Sequence, residues 1–150
     1  MIGICLYSPK KEKNWGQIMR LACNFSINFI CTINSRYKRI VTDTQDAREH
    51  IPVFHYDSIE NFLYCYPREC ILVSLEMDNN REINNFIHPK NVLYCFGPED
   101  SNLPKQIQDK SIKLKINTNY CLNQAMCVCC VLFHKSLQKK YENPPKILLY

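Results

Sequence analysis

The sequence predicts an α/β domain: a mostly parallel sheet with helices on both faces. Three observations carry this. Short, nearly all-apolar runs alternate with longer amphipathic stretches, the pattern of strands buried on both faces by crossover helices. The chain has 150 residues, enough for one domain with a real core. Several apolar runs end in polar or glycine-bearing turns, and in an open α/β sheet the carboxyl ends of strands are where ligands bind.

The elements follow in order. Residues 2–7 form a short apolar run, expected to be a buried strand, and Pro9 with the lysines after it makes a loop. Asn14 is placed as the cap of a helix through Phe25, because Ile18, Leu21, Ala22 and Phe25 share one face at i, i+3, i+4, i+7 spacing. Residues 27–33 read as a second strand, and the polar segment 35–50 as a loop with a short helix. Asp57-Ser58-Ile59-Glu60 resembles a capping arrangement before a helix over 59–66 that Pro67 stops. Strands are expected at 70–75, 92–96 and 112–116, with a short helix at 103–109 and polar sequence of no clear structure at 78–85. A long helix from Leu122 to about Tyr141 is ended by Asn143-Pro144-Pro145. From Ala125 to Phe133 that helix is apolar around nearly its whole circumference, so it needs cover on more than one side and predicts a subunit interface.

The net charge of +5 is compatible with a polyanionic partner without proving one. Lys10, Lys11 and Lys13 precede the first motif described below, Arg36, Lys38 and Arg39 follow the second strand, and Lys135, Lys139 and Lys140 end the last helix. Each cluster alone reads as a solvated surface. The first two flank strand ends on the side of the expected site, where phosphate contacts would fall. The ten cysteines lie mostly inside apolar patterns, which favours buried, reduced thiols over a disulfide framework. Cys127, Cys129 and Cys130 cluster within the last helix, and core packing is a better account of them than metal binding. The chain enters its first strand without a charged leader, and its longest uncharged apolar run is far short of the ~20 residues of a membrane span. A soluble, cytoplasmic protein with no metal and no membrane partner is the expectation.

Three motifs carry chemistry: Asn14-Trp15-Gly16-Gln17-Ile18-Met19-Arg20, then Phe96-Gly97-Pro98-Glu99-Asp100-Ser101-Asn102-Leu103-Pro104, then Cys121-Leu122-Asn123. On these motifs nearly the whole chain resembles the SPOUT superfamily of RNA methyltransferases, in its TrmH/SpoU 2′-O-ribose branch. The family's Asn-x-Gly-x-x-x-Arg turn and helix, its Phe-Gly-x-Glu loop and its Ser-Leu-Asn helix entry match in that order. Cys121 stands where the family has Ser, and Asn102 where it has Gly, a residue that tolerates a left-handed backbone. With no added RNA-binding domain, the chain is most similar to the minimal branch that methylates the wobble ribose of transfer RNA. The resemblance implies a five- or six-stranded parallel sheet with a C-terminal trefoil knot. It also implies S-adenosylmethionine as cofactor, S-adenosylhomocysteine as product, RNA as substrate (tRNA before rRNA), and a homodimer through the first and last helices.

By the same resemblance, Arg20 belongs at the ribose and its phosphate. Arginine stays protonated, so electrostatic stabilisation of a forming alkoxide suits it better than a role as base. Asn14 caps its helix and touches substrate; Glu99 binds Arg20 or orients the ribose, with a structural salt bridge the plainer alternative; Asn123 orients substrate or holds the helix N-terminus. Leu75, Gly97, Ile116, Cys121 and Leu122 are expected at the cofactor, Leu75 and Ile116 through apolar packing. Gly16 and Gly97 would let backbone approach a ligand closely. His50, His55, His88 and His134 are isolated in the sequence and are given no role. A nucleophilic Cys121 lacks a local histidine partner. Two other readings stay open: a catalytically weak or inactive knotted RNA-binding relative, and a small nucleotide-binding α/β protein with no RNA partner.

Overall fold

β1, Ile2–Tyr7, is buried from Ile2 to Leu6. It pairs in parallel on one side with β2, Phe29–Ile33, and on the other with β5, Val92–Phe96. β4, Ile71–Leu75, lies beyond β5 and pairs with β6, Ile112–Leu114. β3, Val53–Tyr56, closes the other edge beside β2. The result is a six-stranded, all-parallel sheet of order β3-β2-β1-β5-β4-β6. This computed structural model describes residues 1–35, 51–98 and 100–142. The expected short helix in segment 35–50, the Arg36, Lys38 and Arg39 cluster, His50, Glu99 and the tail after residue 142 lie outside the described residues.

β3 was not anticipated. Its burial does not alternate, and Phe54, in edge contact with Phe29, is 49% exposed. An edge strand needs neither an apolar run nor a clean alternation, so the pattern that reveals interior strands misses it.

Helices cover both faces. α1, Glu12–Asn24, and α4, Gln124–Glu142, lie on one face and pack against each other. There Trp15, Ile18, Met19 and Ala22 meet Ile4, Leu6, Tyr94 and Phe96, together with Ala125, Val128, Val131 and Leu132. On the other face, α2, Ile59–Cys65, and the short α3, Lys105–Gln108, bring Phe62 and Ile107 over Cys5, Cys31, Leu93 and Cys95. The register sets Cys31, Cys5 and Cys95 side by side across three strands. All ten thiols are free, and burial drives that of Cys31 up to about 12. The third glycine, outside the motifs, is a packing residue: a Cβ on Gly3 would collide with the Phe29 ring and come within 2.8 Å of Leu93. Ser58 caps α2 through Asn61 N–H at 3.1 Å, as its sequence suggests. No helix among the described residues is long and apolar enough to cross a membrane.

Two expectations about α1 and α4 change. α1 begins at Glu12, and Lys11 holds the cap position without a side-chain bond to the helix's first N–H groups. Asn14 therefore does not cap the helix; it lies inside the first turn, buried. Lys135 does not join a solvated basic end of α4. It is 7% exposed, with its ammonium donating to Pro89 O at 2.9 Å.

The histidines are not all isolated in space. His88 Nε2 lies 2.9 Å from His134 Nδ1, and His88 Nδ1 pairs with the Tyr94 hydroxyl at 2.5 Å. Gln138 adds two backbone bonds, accepting from His88 N–H at 3.0 Å and donating to Phe86 O at 2.5 Å. Burial first, then the nearby Lys135 and His134, hold the His88 pKa down at about 3. The folded value lies below the unfolded one of about 6.5, so the associated stability is complete above that pH and is lost as pH falls toward 3. Between pH 7 and 5, above the range where carboxylates titrate, the urea midpoint is expected to fall in the wild type and to stay flatter in His88→Gln. An equally steep fall in the variant would assign the effect to other groups.

Candidate active site

The parallel register ends β4 at Leu75 and β5 at Phe96 on the same edge of the sheet, with Leu75 directly opposite Phe96 and Leu114. Three segments leave that edge together: Glu76-Met77 after β4, Gly97 to Pro104 after β5, and Lys115 to Asn123 after β6. Between them lies a cavity of about 340 Å³, within the range of small-molecule sites.

All five residues expected at the cofactor line it: Leu75, Gly97, Ile116, Cys121 and Leu122. Leu75, Phe96, Ile116 and Cys127 supply apolar wall, and Asn102, Thr118, Gln124 and Glu76 supply polar groups. A Cβ on Gly97 would approach Leu103 N to 3.2 Å and Ser101 O to 3.3 Å, so glycine lets this loop fold tightly on itself. Asn102 avoids the left-handed region: among the described residues only Ser8, Ser26 and Asn34 have positive φ, and no glycine does. Asn in place of the family's Gly therefore needs no unusual backbone here.

Side chains pin the loop at both ends. Gln124, 5% exposed in the first turn of α4, donates from Nε2 to Gly97 O at 2.9 Å. Leu103 N–H donates to Glu76 Oε1 at 2.8 Å, and Gln108 Nε2 donates to Leu103 O at 2.6 Å. On the outer side, Lys10 pairs with Asp100 at 2.5 Å, tying the loop before α1 to this one. That pairing uses one lysine of the first basic cluster inside the protein. Burial, the largest influence on Glu76, pushes its carboxyl above the usual carboxylate range; the Leu103 N–H pulls the other way. Burial also drives the Cys127 thiol up to about 12, so it lines the cavity as a neutral wall. Cys121 is exposed with its sulfur against that of Met77, and no imidazole among the described residues lines the cavity. The nucleophile reading of Cys121 finds no imidazole partner there among the described residues.

The residues placed at the ribose are not brought into this cavity within one chain. Arg20 is exposed on α1, and neither it nor Asn14 is a lining residue. Asn123 acts as the cap of α4: its Oδ1 accepts from Met126 N–H at 2.9 Å and its backbone O from Cys127 N–H at 3.0 Å. Sequence reasoning missed Glu76 and Gln124. The available signal was position alone, one being the first polar residue past a buried strand and the other the residue after a helix cap.

The comparisons with known proteins agree with this geometry. Residues 1–133 match the SpoU rRNA Methylase family. The chain belongs to that family. A Mycoplasma genitalium protein provisionally named tRNA (cytidine(34)-2′-O)-methyltransferase is 26% identical, covering 97% of this chain and 96% of its own length. A structure solved in work on the 2-OH methylation of C/U34 on tRNA superposes with a TM-score of 0.82 at 21% identity, over 94% of this chain and 97% of that one. The SpoU methyltransferase AviRb of Streptomyces viridochromogenes, solved in complex with AdoMet, gives 0.80 at 15% identity, over 93% of this chain and 60% of its own. At these identities the superpositions establish the shared fold.

Asn123→Ala removes the cap of α4 beside the cavity and is expected to cost about 1 kcal/mol of folding stability, measured by urea denaturation. A change below the error of that measurement would show that the cap is replaced by other groups.

Proposed function

We propose that this protein is an S-adenosylmethionine-dependent RNA 2′-O-ribose methyltransferase acting on tRNA in the cytoplasm, with the wobble ribose as target and S-adenosylhomocysteine as product. The observation that carries the reading is the convergence of Leu75, Gly97, Ile116, Cys121 and Leu122, from three distant parts of the chain, around one cavity at the carboxyl edge of the sheet. Its size, its apolar walls and its glycine-tightened loop fit an adenosyl group held by packing and backbone contacts. The names of the relatives favour tRNA over rRNA. The C-terminal trefoil knot belongs to this reading through the family resemblance.

When bound, the cofactor supplies an electrophilic methyl group. The chain supplies position: an apolar pocket that orients the ligand and excludes water, with Arg20 to dock the phosphate and stabilise the developing oxyanion. Because Arg20 lies outside the cavity of its own chain, we assign its delivery to a dimer built from α1 and α4. Met126 and Phe133 on α4 are 48% and 56% exposed. With the half-buried Cys129 and Cys130 they form an i, i+3, i+4, i+7 stripe distinct from the one facing the sheet. That second stripe is the part of the circumferentially apolar helix that a single chain leaves uncovered. Asn14, Glu99 and Asn123 remain candidates for orienting the ribose.

The test is incubation with labelled cofactor and either tRNA or rRNA, followed by digestion and mass spectrometry of the nucleosides. A 2′-O-methylated nucleoside from tRNA is the expected product. Product from rRNA alone would overturn the substrate, and cofactor binding with no product from either RNA would leave the inactive relative as the better reading. Arg20→Ala is expected to lower turnover by about 100-fold or more while cofactor affinity, read by calorimetry, stays within about twofold. Wild-type turnover in that variant would remove Arg20 from the mechanism.

A further inference from the structure

We propose that the Glu76 carboxylate makes the cavity selective for net positive charge, so that the sulfonium cofactor is held in preference to its neutral product. The inference rests on the cofactor reading above and concerns a residue that the motifs do not include.

Glu76 is the first residue past β4, and its N–H donates to Leu114 O at 2.9 Å. Its backbone is therefore fixed to β6 while Oε1 holds Leu103 N–H at 2.8 Å. One residue thus joins the three segments that surround the cavity. Only Oε1 is engaged in a hydrogen bond among the described residues, and no described cation forms a salt bridge with the carboxylate. The other acidic lining residue, Asp100, is exposed and neutralised by Lys10 at 2.5 Å. Among the described residues, no lysine, arginine or histidine lines the cavity. Lys113 acts on Glu76 only at long range, without a salt bridge and from outside the lining. Glu76 is thus the lining carboxylate that no ion pair neutralises, in a partly enclosed, largely apolar space where Coulomb interactions are stronger than in water.

The ligand's charge changes during the reaction. At neutral pH, S-adenosylmethionine carries a sulfonium, an ammonium and a carboxylate, for a net charge of about +1. On transfer, the bond between sulfur and methyl breaks, its electron pair stays on sulfur, and the methyl joins the ribose oxygen as that hydroxyl loses its proton. S-adenosylhomocysteine is left with no net charge. A sphere of the cavity's volume is only about 9 Å across, so a bound ligand is never beyond the reach of a half-buried carboxylate. Attraction to Glu76 then holds the substrate form of the cofactor and lapses once the methyl has gone, which favours product exit.

The experiment is calorimetry on wild type and Glu76→Gln with S-adenosylmethionine and S-adenosylhomocysteine separately. Glutamine keeps an oxygen that accepts from Leu103 N–H, so the loop stays pinned and only the charge is lost. The expected result is about fivefold weaker S-adenosylmethionine binding with product affinity unchanged within about twofold. Equal weakening of both ligands would make Glu76 a loop clamp only, and unchanged binding of the cation would remove the charge role; either overturns the inference. Should the variant fail to fold, the wild-type preference for the cation is expected to shrink as NaCl rises from about 0.05 to about 0.5 M, and a constant ratio overturns it. Wild-type protein that binds neither ligand would refute the cofactor reading itself, an outcome distinct from these.

Discussion

The constraint on which the rest depends is the all-parallel pairing around β1. Because β1 is flanked by β2 and β5 in parallel register, every strand must return by a crossover, and helices are forced onto both faces. The same pairing sends every strand toward one edge. Leu75, Phe96 and Leu114 end in line there, and the segments that follow them leave the sheet. Those segments surround a cavity between them, and the chemistry of the protein is written into them rather than into the core.

What converts three loose segments into a defined cavity is a small set of side-chain hydrogen bonds. Gln124 reaches Gly97 from α4, Glu76 reaches Leu103 from β4, and Gln108 reaches back from α3. The first two connect elements 27 residues apart, so the loop's shape follows from the whole fold. Glu76 shows the tension in such a site: it holds the loop while burial disfavours its charged form. A carboxylate kept in that position at a cost to its ionisation is a sign of function at the site.

α4 shows a second tension. Its apolar circumference is divided between a stripe that faces α1 and the sheet and a stripe bearing Met126 and Phe133 that stays exposed. Exposed apolar side chains at helical spacing carry hydration cost that association with another apolar face relieves. Composition alone signals this, since a helix apolar all round cannot be satisfied by one neighbour.

The class of fold and the interior strands were legible in the sequence through local signals, runs of apolar residues and capping chemistry at Ser58, while the residues that line the cavity were legible through the family resemblance. Tertiary structure decided what depends on partners from elsewhere in the chain. It showed β3 as an edge strand, withdrew Asn14 from its cap, buried Lys135, and joined His88 to His134 and Tyr94. It also placed Glu76 and Gln124 at the cavity and left Arg20 outside it. The physical reason is that a buried polar side chain is defined by the hydrogen bond it finds. Apart from His88 to Tyr94, six residues apart, those bonds span from 27 residues, for Glu76 to Leu103, to 46, for His88 to His134, beyond the reach of any local pattern.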